Sequence, residues 1–160
     1  MDINIKDYFR IDDSHSKIRG FVFAYDENDK IVFHKENMIT KTGRKSILNA
    51  ITGGSNLNLK GLTPALGVGR SMTTPDTATL ESIIPSEHLE ISPVTAVVSN
   101  TNDLYISFEF TVNMTEAAPT KYEISELALM NGGSLFSRVV FQPYTLNAET
   151  TLKFKYYIYF

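Results

Sequence analysis

Three histidines are the first residues to consider for chemistry, and each stands alone. His15 lies in the charged stretch Asp12-Asp13-Ser14, His34 late in a predicted strand, and His88 in a long polar segment. None has the paired spacing of a helix-borne zinc site, so a solvated or hydrogen-bonded imidazole is expected at each. The chain has no cysteine, which removes a thiol nucleophile, cysteine-bound zinc or iron–sulfur, and a disulfide framework. Gly67-Val68-Gly69-Arg70-Ser71 has the glycines of a phosphate-cradling loop. It lacks the Gly-Lys-Ser/Thr ending and the third glycine that such loops use, and no helix is predicted after it, so a bulged strand is expected. Glu109, Glu123 and Glu126 fall on predicted strands. Residues three apart on a regular strand point to opposite faces, so Glu123 and Glu126 cannot converge as the acid–base pair of a glycosidase, and structural polar roles are expected. There is no Gly-x-Ser-x-Gly elbow. The expectation is a protein that is not an enzyme, with no catalytic residue, no metal site and no cofactor.

Composition narrows the classes further. A chain of 160 residues makes one domain, or one domain with an arm. The net charge of −3 lends no support to nucleic-acid binding. No apolar run approaches the roughly 18 residues of a membrane span, so no membrane partner is expected. Met1-Asp2-Ile3-Asn4-Ile5-Lys6-Asp7 alternates charge with isoleucine and has neither the basic start nor the apolar centre of a signal peptide.

The elements that must position any site read mostly as strands. Residues 1–17 form an N-terminal arm or edge strand, set off by Asp12-Asp13-Ser14-His15-Ser16, and residues 18–160 form the main domain. Ile18–Tyr25 alternates, with Phe21, Phe23 and Tyr25 on one face and Val22 and Ala24 on the other. Asp26-Glu27-Asn28-Asp29 is turn chemistry, and Ile31-Val32-Phe33 starts the returning strand of a hairpin. Between Thr42 and Thr52, Ile47, Leu48 and Ile51 repeat at one-turn spacing. That predicts a short helix, capped by Thr40 or Thr42, ended by Gly53-Gly54, and packed by this stripe on a sheet. Pro64–Gly69 reads as a short strand. Arg70–Ser92 reads as a long loop of the kind that is often functional, the alternative being a meandering connection with a short helical turn near Ala78–Glu81. Val94–Ser99, Leu104–Asn113, Tyr122–Met130, Leu135–Phe141 and Thr150–Phe160 read as strands, with Asn131-Gly132-Gly133 as a tight hairpin and Pro143 as a strand end. In the last strand Leu152, Phe154, Tyr156, Ile158 and Phe160 form the core stripe. The fold class expected is mainly β, an antiparallel β-sandwich of about eight strands with one short helix packed on it.

Tyr105, Tyr157 and Tyr159 are predicted opposite the core stripes, where two readings compete: packing under loops or the helix, or contact with a neighbour, since tyrosine is enriched at interfaces. With Ile3, Ile5, Tyr8 and Phe9 of the arm they make up the predicted partner interface.

Three segments then carry a resemblance to a family of small tailed-bacteriophage virion proteins found among tail, baseplate and fibre-attachment components. Asn37-Met38-Ile39-Thr40-Lys41-Thr42-Gly43-Arg44 is similar to that family's Asn-x-apolar-(Thr/Val)-x-x-Gly lead-in to a helix. Leu66-Gly67-Val68-Gly69, with Thr73-Thr74-Pro75 and Thr77-Ala78-Thr79-Leu80-Glu81, resembles its Ile-Gly-x-Gly stretch, Thr-x-Pro loop and Ala-Leu-Glu segment. Ile124-Ser125-Glu126-Leu127-Ala128-Leu129 and Gly132-Gly133-Ser134-Leu135-Phe136-Ser137-Arg138 resemble its Ile-x-Glu-x-Gly-Leu and Gly-Gly-x-Leu-Phe-x-Arg pattern. Ala128 stands where that pattern has glycine, and residues 1–17 match no part of it. The resemblance implies a structural subunit of a phage virion, located at the tail or capsid surface after assembly in the host cytoplasm. Its implied partners are further copies of itself, as a homo-oligomer, and other virion proteins. Two alternatives are a carbohydrate- or receptor-binding β-sandwich module taking a host glycan, and a capsid decoration or head-fibre protein.

Overall fold

The computed structural model describes residues 18–54, 57–99 and 102–160. The arm expected at residues 1–17 lies outside the described residues. Among the described residues the fold is mainly β and antiparallel, with nine strands and one α-helix. The strands are β1 (Arg19–Tyr25), β2 (Ile31–Ile39), β3 (Thr63–Gly67), β4 (Leu89–Ile91), β5 (Thr95–Val98), β6 (Tyr105–Met114), β7 (Lys121–Asn131), β8 (Ser134–Asn147) and β9 (Leu152–Tyr159). The helix α1 spans Lys41–Ile51. The sheet order is β3-β7-β8-β2-β1-β9-β6-β4, with β5 also paired to β6. This continuous sheet curls into a half-barrel, so β3, β7 and β8 face β1, β9 and β6 across one core, as the two layers of a sandwich do.

Period-2 alternation decides which side chains enter that core. Val22 and Ala24 of β1, Ile106, Phe108, Phe110 and Val112 of β6, and Leu152, Phe154, Tyr156 and Ile158 of β9 all point inward and are buried. From the opposite layer come Ile124, Leu127, Leu129, Phe136 and Val139. The hydroxyl of Tyr156 would be costly to bury without a partner. It is hydrogen-bonded to the Ser137 hydroxyl of β8, which ties the two layers together through the core. Burial, only partly offset by that bond, pushes the Tyr156 phenol well above its ordinary value. The β7–β8 hairpin closes on Gly132 and Gly133, with Gly132 at φ +58°, a conformation that glycine adopts without strain.

Several boundaries differ from the sequence expectation. β8 runs straight through Pro143 to Asn147. The β7–β8 register skips there, from Ile124↔Tyr144 to Glu126↔Val140, so Pro143 lies in a bulge where no ladder N–H is required. The long loop contains a 3-10 turn at Ser86–His88, not near Ala78–Glu81, and then the short strand β4. Thr40 is the helix cap, accepting from the Gly43 N–H at 3.1 Å. The predicted helix stripe does not pack as a stripe: Gly43 and Ile47 are buried, whereas Leu48 and Ile51 are 60% and 77% exposed. Phe160 falls past the end of β9 and is likewise exposed.

Candidate functional site

The densest polar construction is built on the outer face of the β7–β8 pair. Ala128 and Arg138 are cross-strand partners, which places Arg138 and the nearby Glu126 on one face. Arg138 Nε donates to Glu126 Oε2 at 2.8 Å, and Nη2 lies 2.7 Å from the same oxygen. Both residues are buried. The other carboxylate oxygen, Oε1, accepts the backbone N–H of Gly69 at 3.0 Å and of Ser82 at 2.8 Å. Oε2 also accepts the Glu81 N–H at 3.2 Å. Arg138 Nη1 in turn donates to the Ser71 carbonyl at 2.8 Å and to Thr73 Oγ1 at 3.1 Å. Ser125 Oγ donates to the Gly69 carbonyl at 2.8 Å. One ion pair thus holds both ends of the segment from Gly69 to Ser82 against the sheet. A Cβ on Gly69 would stand 2.6 Å from Glu126 Oε1, so the close approach excludes a side chain there.

The glycine-rich stretch does meet an anion, but the anion belongs to the chain. The N–H groups of Arg70 and Ser71 donate to Glu81 Oε2 at 2.8 and 2.7 Å. The Ser71 backbone N–H, the Ser71 hydroxyl, the Arg70 N–H and the Arg138 charge together hold the Glu81 carboxyl below its ordinary value of 4.5. The sequence reading kept Glu126 as a structural residue and missed its partner. The cue was there: Glu126 and Arg138 are near-equidistant from the Gly132-Gly133 turn, so a hairpin must bring them side by side.

The lead-in to the helix is a second construction of the same kind. Thr40 Oγ1 donates to the carbonyls of Leu135 at 2.8 Å and Phe136 at 3.1 Å, and the Thr40 N–H donates to Phe136 O. A side chain on Gly43 would press into the Phe136 carbonyl. Beyond this point β2 and β8 part. They pair only at Met38↔Arg138 and Ile39↔Ser137, and the divergence leaves a groove of about 1010 Å³ between them. Lys35, Arg44 and Arg70 line it, and Lys35 Nζ spans it to the Val140 carbonyl at 2.7 Å. The side-chain amide of Asn37 is buried beside it with no hydrogen-bond partner among the described residues.

The predicted interface residues divide in two. Ile3, Ile5, Tyr8 and Phe9 lie outside the described residues. Tyr105, Tyr157 and Tyr159 do come together, on the outer face of β6 and β9, with ring centroids 5.3–6.3 Å apart. Phe21 meets Tyr159 edge-on at 5.7 Å, and Phe23 meets Tyr157 edge-on at 6.1 Å. Burial pushes the Tyr159 phenol up to about 12, reinforced by Tyr105 and Asp103. Tyr157 is raised further, by burial first and then by Tyr25, Glu109, Tyr159 and Tyr105.

Of the histidines, His88 bonds through Nδ1 to the Tyr122 hydroxyl, and His34 stacks on Phe23 at 5.9 Å. His15 is outside the described residues. Among the described residues no cluster of His, Asp and Glu is placed to hold a metal ion, and no helix is long and apolar enough to cross a membrane. Apolar side chains instead face outward at one end of β5, β6 and β9: Val97, Val98, Leu104 and Phe160, 53%, 58%, 64% and 47% exposed. They are neighbours, since Val98 pairs with Ile106 and the Phe160 N–H donates to the Leu104 carbonyl at 3.0 Å. Comparisons with protein-family models, with curated proteins and with solved structures find no match.

Proposed function

We propose that the chain is a non-enzymatic structural subunit of a tailed-phage virion, a tail, baseplate or fibre-attachment adaptor that works by assembling with copies of itself and with other virion proteins. The observation that carries this reading is the exposed apolar group at one end of β5, β6 and β9: Val97 and Val98 lie on β5, which pairs with β6 alone among the described strands, and Leu104 and Phe160 lie beside them at the ends of β6 and β9. An apolar sheet edge is a template for another chain and is normally blunted with charge or covered. The buried polar residues, by contrast, serve the chain's own backbone: Glu126, Arg138 and Thr40 each hold a loop or a helix end. These residues belong to the three segments that resemble the virion family, and the segments meet in one packed unit. Virion location follows from the same reading, with assembly in the host cytoplasm.

The test is a reconstruction of the intact particle joined to mass spectrometry of purified virions. The chain is expected at a tail, baseplate or fibre-attachment position with its β5 edge against a neighbour. Purified particles that lack it overturn the reading, and a position on the capsid transfers it to a decoration or head-fibre role. The second reading, a carbohydrate- or receptor-binding module, draws on Tyr105, Tyr157 and Tyr159 as a stacking platform. It requires hits on a glycan array and loss of host adsorption on Tyr157→Ala.

A further inference from the structure

Asn37 is 6% exposed, and neither Oδ1 nor Nδ2 of its side chain has a hydrogen-bond partner among the described residues. Buried polar groups are nearly always paired, so an exception points to something that the free chain does not supply. The fold makes room for this amide. Asn37 is the cross-strand partner of Gly20, and a Cβ on Gly20 would stand 1.5 Å from Asn37 Oδ1. Asn37 lines the groove between β2 and β8, where no ladder joins the two strands beyond Met38 and Arg138. Cations reach the same groove from three elements: Lys35 from β2, Arg44 from α1 and Arg70 from the segment after β3. None of the three has an ion-pair partner among the described residues. Arg19 also lines the groove, as do Arg138, whose charge is met by Glu126, and the carboxylate of Glu36. The Lys35 ammonium donates to a neutral acceptor, the Val140 carbonyl, at 2.7 Å, and a carboxylate is the stronger partner for it.

We propose that the β2–β8 groove binds an extended acidic peptide segment of a partner protein, with a peptide bond on the Asn37 amide and carboxylates on Lys35, Arg44 and Arg70. A peptide bond presents an N–H and a C=O that meet Oδ1 and Nδ2 together, which an inorganic anion does not. The groove, about 1010 Å³, lies at the upper end of the roughly 300–1,000 Å³ of ligand sites, and an inorganic anion fills little of it. Val32, Phe33, Val139 and Phe141 add apolar lining for the side chains between the acids. The net charge of −3 over the chain opposes a long polyanion such as nucleic acid, whereas a short acidic segment meets only the local cations. The inference stands independently of the virion reading, because it concerns what the isolated chain binds.

The test is a nuclear magnetic resonance titration of the full-length, nitrogen-labelled chain with three probes. They are the peptide acetyl-Asp-Val-Asp-Val-Asp-amide, its counterpart with lysine in place of aspartate, and inorganic phosphate. The acidic peptide is expected to shift the side-chain amide pair of Asn37 and the backbone amides of Lys35 and Val140, saturably, and the lysine peptide is expected to leave them in place. Lys35→Gln with Arg44→Gln and Arg70→Gln replaces three exposed side chains, so folding is expected to persist while affinity falls about tenfold or more. Asn37→Ala is expected to weaken binding of the acidic peptide without lowering the melting temperature, because it removes an unpaired buried amide. No shift at Asn37 up to millimolar peptide overturns the proposal. So do equal shifts with the lysine peptide, or unchanged affinity in the triple variant. Phosphate that produces the same shifts and displaces the peptide at equal concentration makes the groove a small-anion site and overturns the peptide assignment.

Discussion

At the scale of the residue, Glu126 and Arg138 are the side chains whose loss carries the largest penalty. Both charges are out of water, and each is satisfied by the other and by groups of the Gly69–Ser82 segment. Removing one partner leaves an uncompensated buried charge, which costs about 3–5 kcal/mol. Arg138→Met is therefore expected to lower the unfolding free energy by about that amount in a denaturant titration, and Glu126→Gln by a similar amount. The double variant is expected to lose less than the sum, because no lone charge remains. Glu81 makes a pH-dependent contribution to the same segment. Its carboxyl titrates below 4.5 in the folded chain, held first by the Ser71 N–H. A group with a depressed folded value contributes stability that is complete above its unfolded value and disappears as pH falls through the folded one. Amide exchange at Arg70 and Ser71 is expected to stay slow at neutral pH and to accelerate, relative to the β7 amides, as pH drops below that ordinary carboxylate value. Equal acceleration in both places would mean that Glu81 does not hold the loop.

At the scale of the element, α1 shows why an apolar period need not mean a buried stripe. The helix is short, and its attachment comes from its start, through the Thr40 cap, the bonds from Thr40 to β8 and the close approach of Gly43. Only Ile47 follows those anchors into the core. Leu48 and Ile51 are left facing outward. Leu48→Ser with Ile51→Ser is expected to move stability by no more than about 0.5 kcal/mol per site, the usual range for surface positions. Thermal melting of the double variant checks this. A loss of several kcal/mol would place those residues in a packed contact. The same reasoning applies to β8, where Pro143 interrupts a local pattern but not the strand, because the bulge opposite Ser125 absorbs it.

At the scale of the whole molecule, β9 lies between β1 and β6 and is bonded to both. Its inward residues Leu152, Phe154, Tyr156 and Ile158 fill the middle of the core, and Tyr156 reaches Ser137 in the other layer. Deleting Tyr156–Phe160 removes half the ladder of that central strand and is expected to abolish cooperative folding. A soluble, cooperatively melting truncation would contradict this. Deleting Met1–Lys17 is expected to leave a cooperative melt. Phe108, wholly buried beside Tyr156, provides the comparison within the core: Phe108→Ala is expected to cost about 3–5 kcal/mol.

The elements that depend on local alternation were legible in the chain itself. Leu104 to Asn113 and Thr150 to Phe160 show which residues face inward, because side-chain direction on a strand alternates by covalent geometry alone. The Asn131-Gly132-Gly133 turn and the Thr40 cap are equally local, since each is settled by a few neighbouring dihedrals and hydrogen bonds. The sequence by itself therefore determined the strand-rich antiparallel class, most strand faces and the short helix. Tertiary structure alone decided what lies over those faces. Arg138 reads as an ordinary charged position until the hairpin pairs it with Ala128 and the Gly69–Ser82 segment closes over Glu126. The alternation of Ile18–Tyr25 leaves open which face of β1 is the inner one, and only the fold puts Val22 and Ala24 inside. Leu48 reads as packed, yet it is exposed, because the helix is held by its start and buries only Gly43 and Ile47. Alternation sets a side chain's direction within its own strand. Burial is set by what a distant part of the chain brings to that face, and no short-range pattern encodes it.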